Sequence, residues 1–183
     1  MDRAAALALL HEYTKSEALR AHALGVEAAM RALARRLDGD EELWGLTGLL
    51  HDFDYEMHPT LEEHPVKGAP ILRERGVPEE VVRAILGHGN HTGVPRDTPM
   101  ARALFSVDEL VGFVTAVALV RPSKKVCDVT PKSVKKKMKD KAFARSVNRE
   151  DIRQGVEELG SDLDAHIQLV VDAMAGVADR IGL

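Results

Sequence analysis

Six side chains able to bind a metal stand in or beside apolar segments of this sequence. His51 and Asp52 lie within Leu49-Leu50-His51-Asp52-Phe53-Asp54, and His22 sits upstream on an apolar helical stripe. Asp108 interrupts the hydrophobic stretch from Ala103 to Val120, and His64 and His88 fall between. An ionised carboxylate beside Leu49, Leu50 and Phe53 is costly to bury unless it is paired or metal-bound. Asp52 therefore needs a partner, and the other five are candidates. His22, His51, Asp52 and Asp108 make a mixed nitrogen and oxygen donor set suited to Mn, Fe, Co, Ni, Zn or Mg. Such a set leaves coordination positions open, where a water ionises near neutral pH and the same cation offsets charge on phosphoryl oxygens. The chemistry expected is metal-dependent hydrolysis of a phosphate ester or anhydride.

The elements that must carry these groups read as helices. Residues 3–13 form a short helix with Leu7 and Leu10 inward. Thr14-Lys15-Ser16-Glu17 has the form of a capping box and launches a helix to about Leu37. His22 lies on its stripe of Leu19, Val26, Met30, Leu33 and Leu37. Gly25, a poor helix former, implies close approach of another backbone or a ligand. Asp40 caps a helix running to about Asp52. A helix from Thr60 or His64 to Arg75 is expected to kink or start late at Pro70. Pro78 opens Glu79 to Leu86, and the glycine-rich stretch 87–93 is loop. Thr98-Pro99 opens a long helix to Val120. Thr130-Pro131, Asn148 and Gly160-Ser161 bound three more, the last bearing Leu163, Ile167, Val170, Val171, Met174 and Val177. No stretch alternates as a strand does. The fold class expected is all-α, a bundle of roughly seven to nine helices.

The 183 residues, 45% of them hydrophobic, suffice for a single domain over 1–183, with a core at about 14–120 and a helical extension at 121–183. Net charge is -4, yet Arg121 to Arg149 holds eleven Lys or Arg against Asp128 and Asp140. Arg121, Lys124 and Lys125 follow the Asp108 helix closely and are candidate substrate phosphate contacts. The run Lys135 to Lys139 reads as a solvated helix face. With only Phe143 nearby for stacking, nucleic acid is not an expected partner. One cysteine, Cys127, excludes an internal disulfide framework and favours a reducing compartment. The Ala/Leu run after Met1-Asp2-Arg3 is too short for a membrane span and lacks a small-residue cleavage site, so a cytoplasmic location without membrane attachment is expected.

In chain order, His22, His51-Asp52 and Asp108 resemble the His, His-Asp, Asp pattern of the HD superfamily of metal-dependent phosphohydrolases. His51-Asp52-Phe53-Asp54-Tyr55-Glu56, His64-Pro65-Val66-Lys67-Gly68 and His88 resemble the branch in which extra histidines support a second metal. The resemblance spans about Ala18 to Val120 and is to small, stand-alone bacterial HD and HDIG-like proteins. It implies an HD-domain helical scaffold in which His22, His51, Asp52 and Asp108 hold one divalent cation. Asp52 would bridge to a second held by His64 and His88. Asp52, His64 and His88 are then the expected catalytic groups, and a nucleotide or other small phosphorylated molecule the expected substrate. Two features differ from the HD-GYP cyclic-dinucleotide phosphodiesterases: Asp54 stands where many relatives have Gly, and Gly89-Asn90 separates His88 from His91.

Alternatives stay open at this level. The same six ligands suit a di-iron centre that activates oxygen, and a nucleotide-binding module with a structural metal is a third reading. His64 also reads as a helix N-terminal residue, and His88 as a substrate contact or general acid. Asp54 and Glu56 either assist the site or are solvated loop acids. His11, His58, His91 and His166 read as surface or structural residues, and the last helix packs either in cis or across a homo-oligomer.

Overall fold

A computed structural model describes residues 1–183. Its elements are α1 (Arg3–Tyr13), α2 (Glu17–Leu37), α3 (Glu41–Leu50), α4 (Gly68–Glu74), α5 (Glu79–Leu86), α6 (Pro99–Leu119), α7 (Pro131–Met138), α8 (Arg149–Glu158), α9 (Leu163–Ala175) and α10 (Ala178–Ile181). Two single 3₁₀ turns, Asn90–Thr92 and Val126–Asp128, complete the secondary structure, and no strand is present. The fold is all-α, as the helical spacing of the apolar residues requires. The last segment is split near Gly176, so Val177 precedes a short final turn instead of extending α9. No helix is long and apolar enough to cross a membrane.

Seven helices start on an Asp, Ser, Thr or Asn side chain that accepts a backbone N–H of the first turn. The cap of α2 is Ser16, not Thr14, which the capping-box spacing favoured. The Thr14 hydroxyl instead donates to the carbonyl oxygen of Phe53 at 2.9 Å. That bond ties the entry of α2 to the turn after α3. Glu56 adds to it by accepting the backbone N–H groups of Lys15 and Ser16 at 2.6 and 3.0 Å. The helix expected from Thr60 or His64 starts late, at Gly68, with Pro70 in its first turn, where a missing N–H costs nothing. Residues 51–67 form a succession of turns instead.

Three helices converge through glycines. A Cβ on Gly25 of α2 would lie 2.9 Å from Cγ1 of Val111 on α6, and one on Gly48 of α3 would lie 2.9 Å from the Val26 carbonyl oxygen. The close approach expected at Gly25 is thus to the side chain of α6. The contact residues are each three positions from a candidate ligand: Gly25 from His22, Gly48 from His51, Val111 from Asp108. One helical turn separates such residues, so close packing of α2, α3 and α6 delivers the three ligands to one point. Below that point the core is dry, built from Val26, Leu49, Leu50, Phe53, Leu104, Val107 and Val111.

The segment after residue 120 continues this core. Val126, Val134, Met138, Ile152, Ile167, Val170 and Met174 belong to the same cluster of buried side chains as the residues of α1 to α6. On α8, a Cβ at Gly155 would lie 2.6 Å from Cα of Ser106, so the α8 backbone rests directly on α6. His166 is buried as a structural residue, its Nε2 donating to the Ser106 carbonyl oxygen at 3.0 Å. Burial lowers its pKa, which keeps the imidazole neutral.

Candidate metal centre

The six candidate ligands meet around one carboxylate. On one side of Asp52, Oδ2 lies 3.3 Å from His51 Nε2 and 3.9 Å from His22 Nε2. Oδ1 of Asp108 completes this group at 3.0 Å from His22 Nε2 and 3.3 Å from His51 Nε2. On the other side, Asp52 Oδ1 lies 3.1 Å from His64 Nε2 and 3.5 Å from His88 Nε2. The two groups are His22, His51, Asp52 and Asp108, and Asp52, His64 and His88, each with all its donor atoms within 4.8 Å of one another. Donors bonded to one ion at about 2.1 Å stand about 3.0 Å apart in an octahedron and about 3.4 Å apart in a tetrahedron. The observed separations are of that size.

Tautomers point the same way. Nδ1 of His51 donates to the Gly48 carbonyl oxygen at 2.8 Å, and Nδ1 of His88 donates to that of Ile85 at 2.5 Å. Nδ1 of His64 donates to Asp54 Oδ1 at 2.8 Å. With each Nδ1 carrying the proton, each neutral ring presents a lone pair at Nε2. His51 Nε2 is fully buried and has no hydrogen-bond partner. His64 Nε2 and His88 Nε2 face each other at 3.2 Å, a separation that calls for a proton or a metal ion between them. A divalent cation on each side of Asp52 answers both features, so the residues present fit one or two metal ions.

Electrostatics describe what occupies the site without an ion. Burial opposes charge on His51, but the carboxylates of Asp52 and Asp108 outweigh it and hold the imidazole well above its usual pKa. For His64 burial is likewise outweighed, by hydrogen bonds to Asp52 and Asp54, and its pKa rises to about 9. Burial works against Asp108 as a charged group as well, yet His51 and His22 keep it well below the ordinary carboxylate range. Protons thus stand where a cation would otherwise balance the carboxylates.

Asp54 is completely buried, not a solvated loop acid. It orients His64, and a Cβ on Gly68 would lie 2.5 Å from its Oδ2 and Cγ, so only glycine leaves room for it. His91, exposed, fastens the same segment from outside by donating from Nε2 to the His64 carbonyl oxygen at 2.9 Å. Neither role shows in sequence spacing. The run His64-Pro65-Val66-Lys67-Gly68 contained the one available signal, a glycine four residues after a candidate ligand.

A cavity of about 540 Å³ opens onto the centre, within the size range of small-molecule sites. His22, Asp52, His64, His88 and Asp108 form its floor, with Leu19, Tyr55 and Leu61 on one flank. The rest of the lining is Glu109 and Gly112 of α6, the segment Ser146 to Asn148, Asp151 of α8, and Gly89, Asn90 and His91. Burial, then the neighbouring Asp108, raise the pKa of Glu109 to about 7. The structure does not bring Arg121, Lys124 or Lys125 to this cavity. From Asp108, α6 travels roughly 16 Å before it ends at Leu119, at about 1.5 Å per residue, and the half-buried Arg121 and the exposed Lys124 and Lys125 lie beyond that end. No Lys or Arg lines the cavity at all.

A family model described as HD domain matches residues 19–111, more than half of the chain, and all six candidate ligands fall inside the match. No match is found among curated proteins or among solved structures.

Proposed function

The chain belongs to the HD-domain family, in general metal-dependent phosphohydrolases, and from that premise we propose that it hydrolyses a phosphate ester or anhydride of a small molecule. The observation that carries the reading is Asp52, whose two oxygens face two separate groups of donors. His22, His51 and Asp108 would hold one divalent ion with Asp52, and His64 and His88 a second. A cation held there supplies Lewis acidity, lowering the pKa of a coordinated water and offsetting phosphoryl charge. The chain supplies the rest. The Gly48 and Ile85 carbonyl oxygens and the Asp54 carboxylate fix the three ring orientations. The apolar core beneath Asp52 keeps bulk water from the ligands on that side, and the cavity admits substrate from the other. His88 borders the cavity, so an ion held by its Nε2 would be within reach of a phosphoryl oxygen of the substrate.

A screen of phosphomonoesters, phosphodiesters and nucleotides with Mn, Mg, Ni, Co, Zn and Fe added in turn tests the proposal. Phosphate release that depends on an added ion and disappears with chelator is the expected result. Absence of release from every compound with every ion would overturn it. A second reading, oxygen activation at a di-iron centre of the same six ligands, gains support from one observation, the lack of any Lys or Arg clamp in the cavity. Anaerobic purification with iron analysis and oxygen-consumption measurements separates the two.

A further inference from the structure

Two acidic side chains besides the candidate ligands line the cavity. These are Glu109 and Asp151, both partly buried, and neither makes an ion pair with any Lys or Arg. Each is pinned by one oxygen: Glu109 Oε2 accepts the backbone N–H of Asn148 at 3.1 Å, and Asp151 Oδ1 accepts from Asn90 Nδ2 at 3.0 Å. Glu109 has no side-chain partner, and Asp151 is approached only by the neutral amides of Asn90 and Asn148. Arg96, the cation within electrostatic reach of Asp151, is committed to Glu158 at 2.7 Å. His22, Asp52, His64, His88 and Asp108 line the same cavity, so the phosphoryl group is drawn to their side of it.

Charge then decides what kind of substrate suits this arrangement. Two divalent ions balance Asp52, Asp108 and a doubly ionised phosphoryl group, and with a single ion the balance is more negative still. Neither acidic group of the wall has a cationic partner among the side chains of the lining. A substrate whose organic part carries further anions, such as a nucleoside triphosphate, would meet them unfavourably. A neutral hydroxyl group would satisfy their hydrogen bonding but leave their charge. An ammonium group does both. Asp151 and the Ser146 to Asn148 segment also lie outside residues 19–111, so this part of the wall belongs to the chain's own extension rather than to the family-matched segment.

Resting on the hydrolase reading, we propose that the substrate class is a phosphorylated amine: a small phosphate ester whose organic part bears an ammonium group held between Glu109 and Asp151. These two residues determine specificity and leave the ion to His22, His51, Asp52, His64, His88 and Asp108.

Calorimetry of the manganese-loaded protein with three non-hydrolysable probes of equal length tests this: 3-aminopropylphosphonate, 3-hydroxypropylphosphonate and butylphosphonate. The aminoalkyl probe is expected to bind on the order of tenfold more tightly than the other two, the margin of a charge-assisted over a neutral hydrogen bond. In Glu109→Gln, Asp151→Asn protein that margin is expected to fall to about threefold or less; should this variant not fold, the three-probe comparison on the unaltered protein decides by itself. Equal binding of all three, or tightest binding of the hydroxyl probe, overturns the ammonium assignment. Parallel turnover of phosphoethanolamine and ethylene glycol monophosphate keeps the two proposals apart. Cleavage of both esters without preference sinks the ammonium site and leaves hydrolysis standing. Selective binding of the aminoalkyl probe with neither these esters nor any compound of the wider screen cleaved keeps the ammonium site and removes hydrolysis.

Discussion

Replacing Gly68 by Ala changes no ligand, yet it should empty half of the centre. The new Cβ would sit 2.5 Å from Oδ2 and Cγ of Asp54, where ordinary contact is 3.4 Å or more. Asp54 is buried and bonded to His64, so it cannot swing into solvent and must withdraw by about 0.9 Å to restore a normal contact. Withdrawal along the same direction stretches its 2.8 Å bond to His64 Nδ1 towards about 3.7 Å, past the limit of a hydrogen bond. His64 then loses its fixed orientation and tautomer, and loss of such a supporting contact costs about 10- to 100-fold in metal affinity. Helix propensity acts in the opposite sense. Gly68 opens α4 with a negative φ, and alanine is favoured over glycine inside helices by about 1 kcal/mol, so a loss cannot come from the backbone. Manganese titration by calorimetry should show two ions in the unaltered protein and one tight ion in the variant, since His22, His51 and Asp108 are untouched. Two ions bound as tightly in the variant would refute the reasoning.

Replacing Asp52 by Ala should abolish turnover and reduce bound metal on both sides, read by kinetics and elemental analysis; full turnover would remove its bridging role. In metal-free protein, His64 with its pKa raised to about 9 from an ordinary 6.5 contributes stability that is complete below pH 6.5 and lost as pH rises through 9. The melting temperature in chelator should therefore fall across that window, while manganese affinity should rise as protons leave His51 and His64; a flat or rising melting temperature would contradict this. The pair Lys124→Ala, Lys125→Ala should leave kcat/KM within about twofold in physiological salt, because exposed charges more than a Debye length away are screened. A tenfold loss would place the basic segment at the substrate after all.

What the sequence made legible were residues in conflict with their surroundings. His22, His51, Asp52 and Asp108 are polar groups on apolar helical faces, and Gly25 is a helix-weakening residue in mid-helix. Each conflict is resolved by a long-range contact that the structure supplies. The cap of α2 was less legible because Thr14 and Ser16 both fit the local pattern, and the bond from Thr14 to the Phe53 carbonyl oxygen decides between them. Arg121, Lys124 and Lys125 looked close in sequence to Asp108, but a straight helix carries nearby residues far apart. Glu109 and Asp151 belong to no motif or spacing that the sequence offers. Only the seating of Gly155 on Ser106, where backbone meets backbone, turns them towards one cavity. Asp54 was ambiguous for the same reason, since its burial depends on the turns of residues 51–67 and on a glycine that leaves space for it.

Anomalous diffraction from crystals grown with manganese tests the metal centre most directly. Two peaks are expected at about 2.0–2.3 Å from their ligands, one among His22, His51, Asp52 and Asp108 and the other among Asp52, His64 and His88, on opposite oxygens of Asp52. Manganese located elsewhere, with no peak within bonding distance of these six side chains, would contradict the assignment.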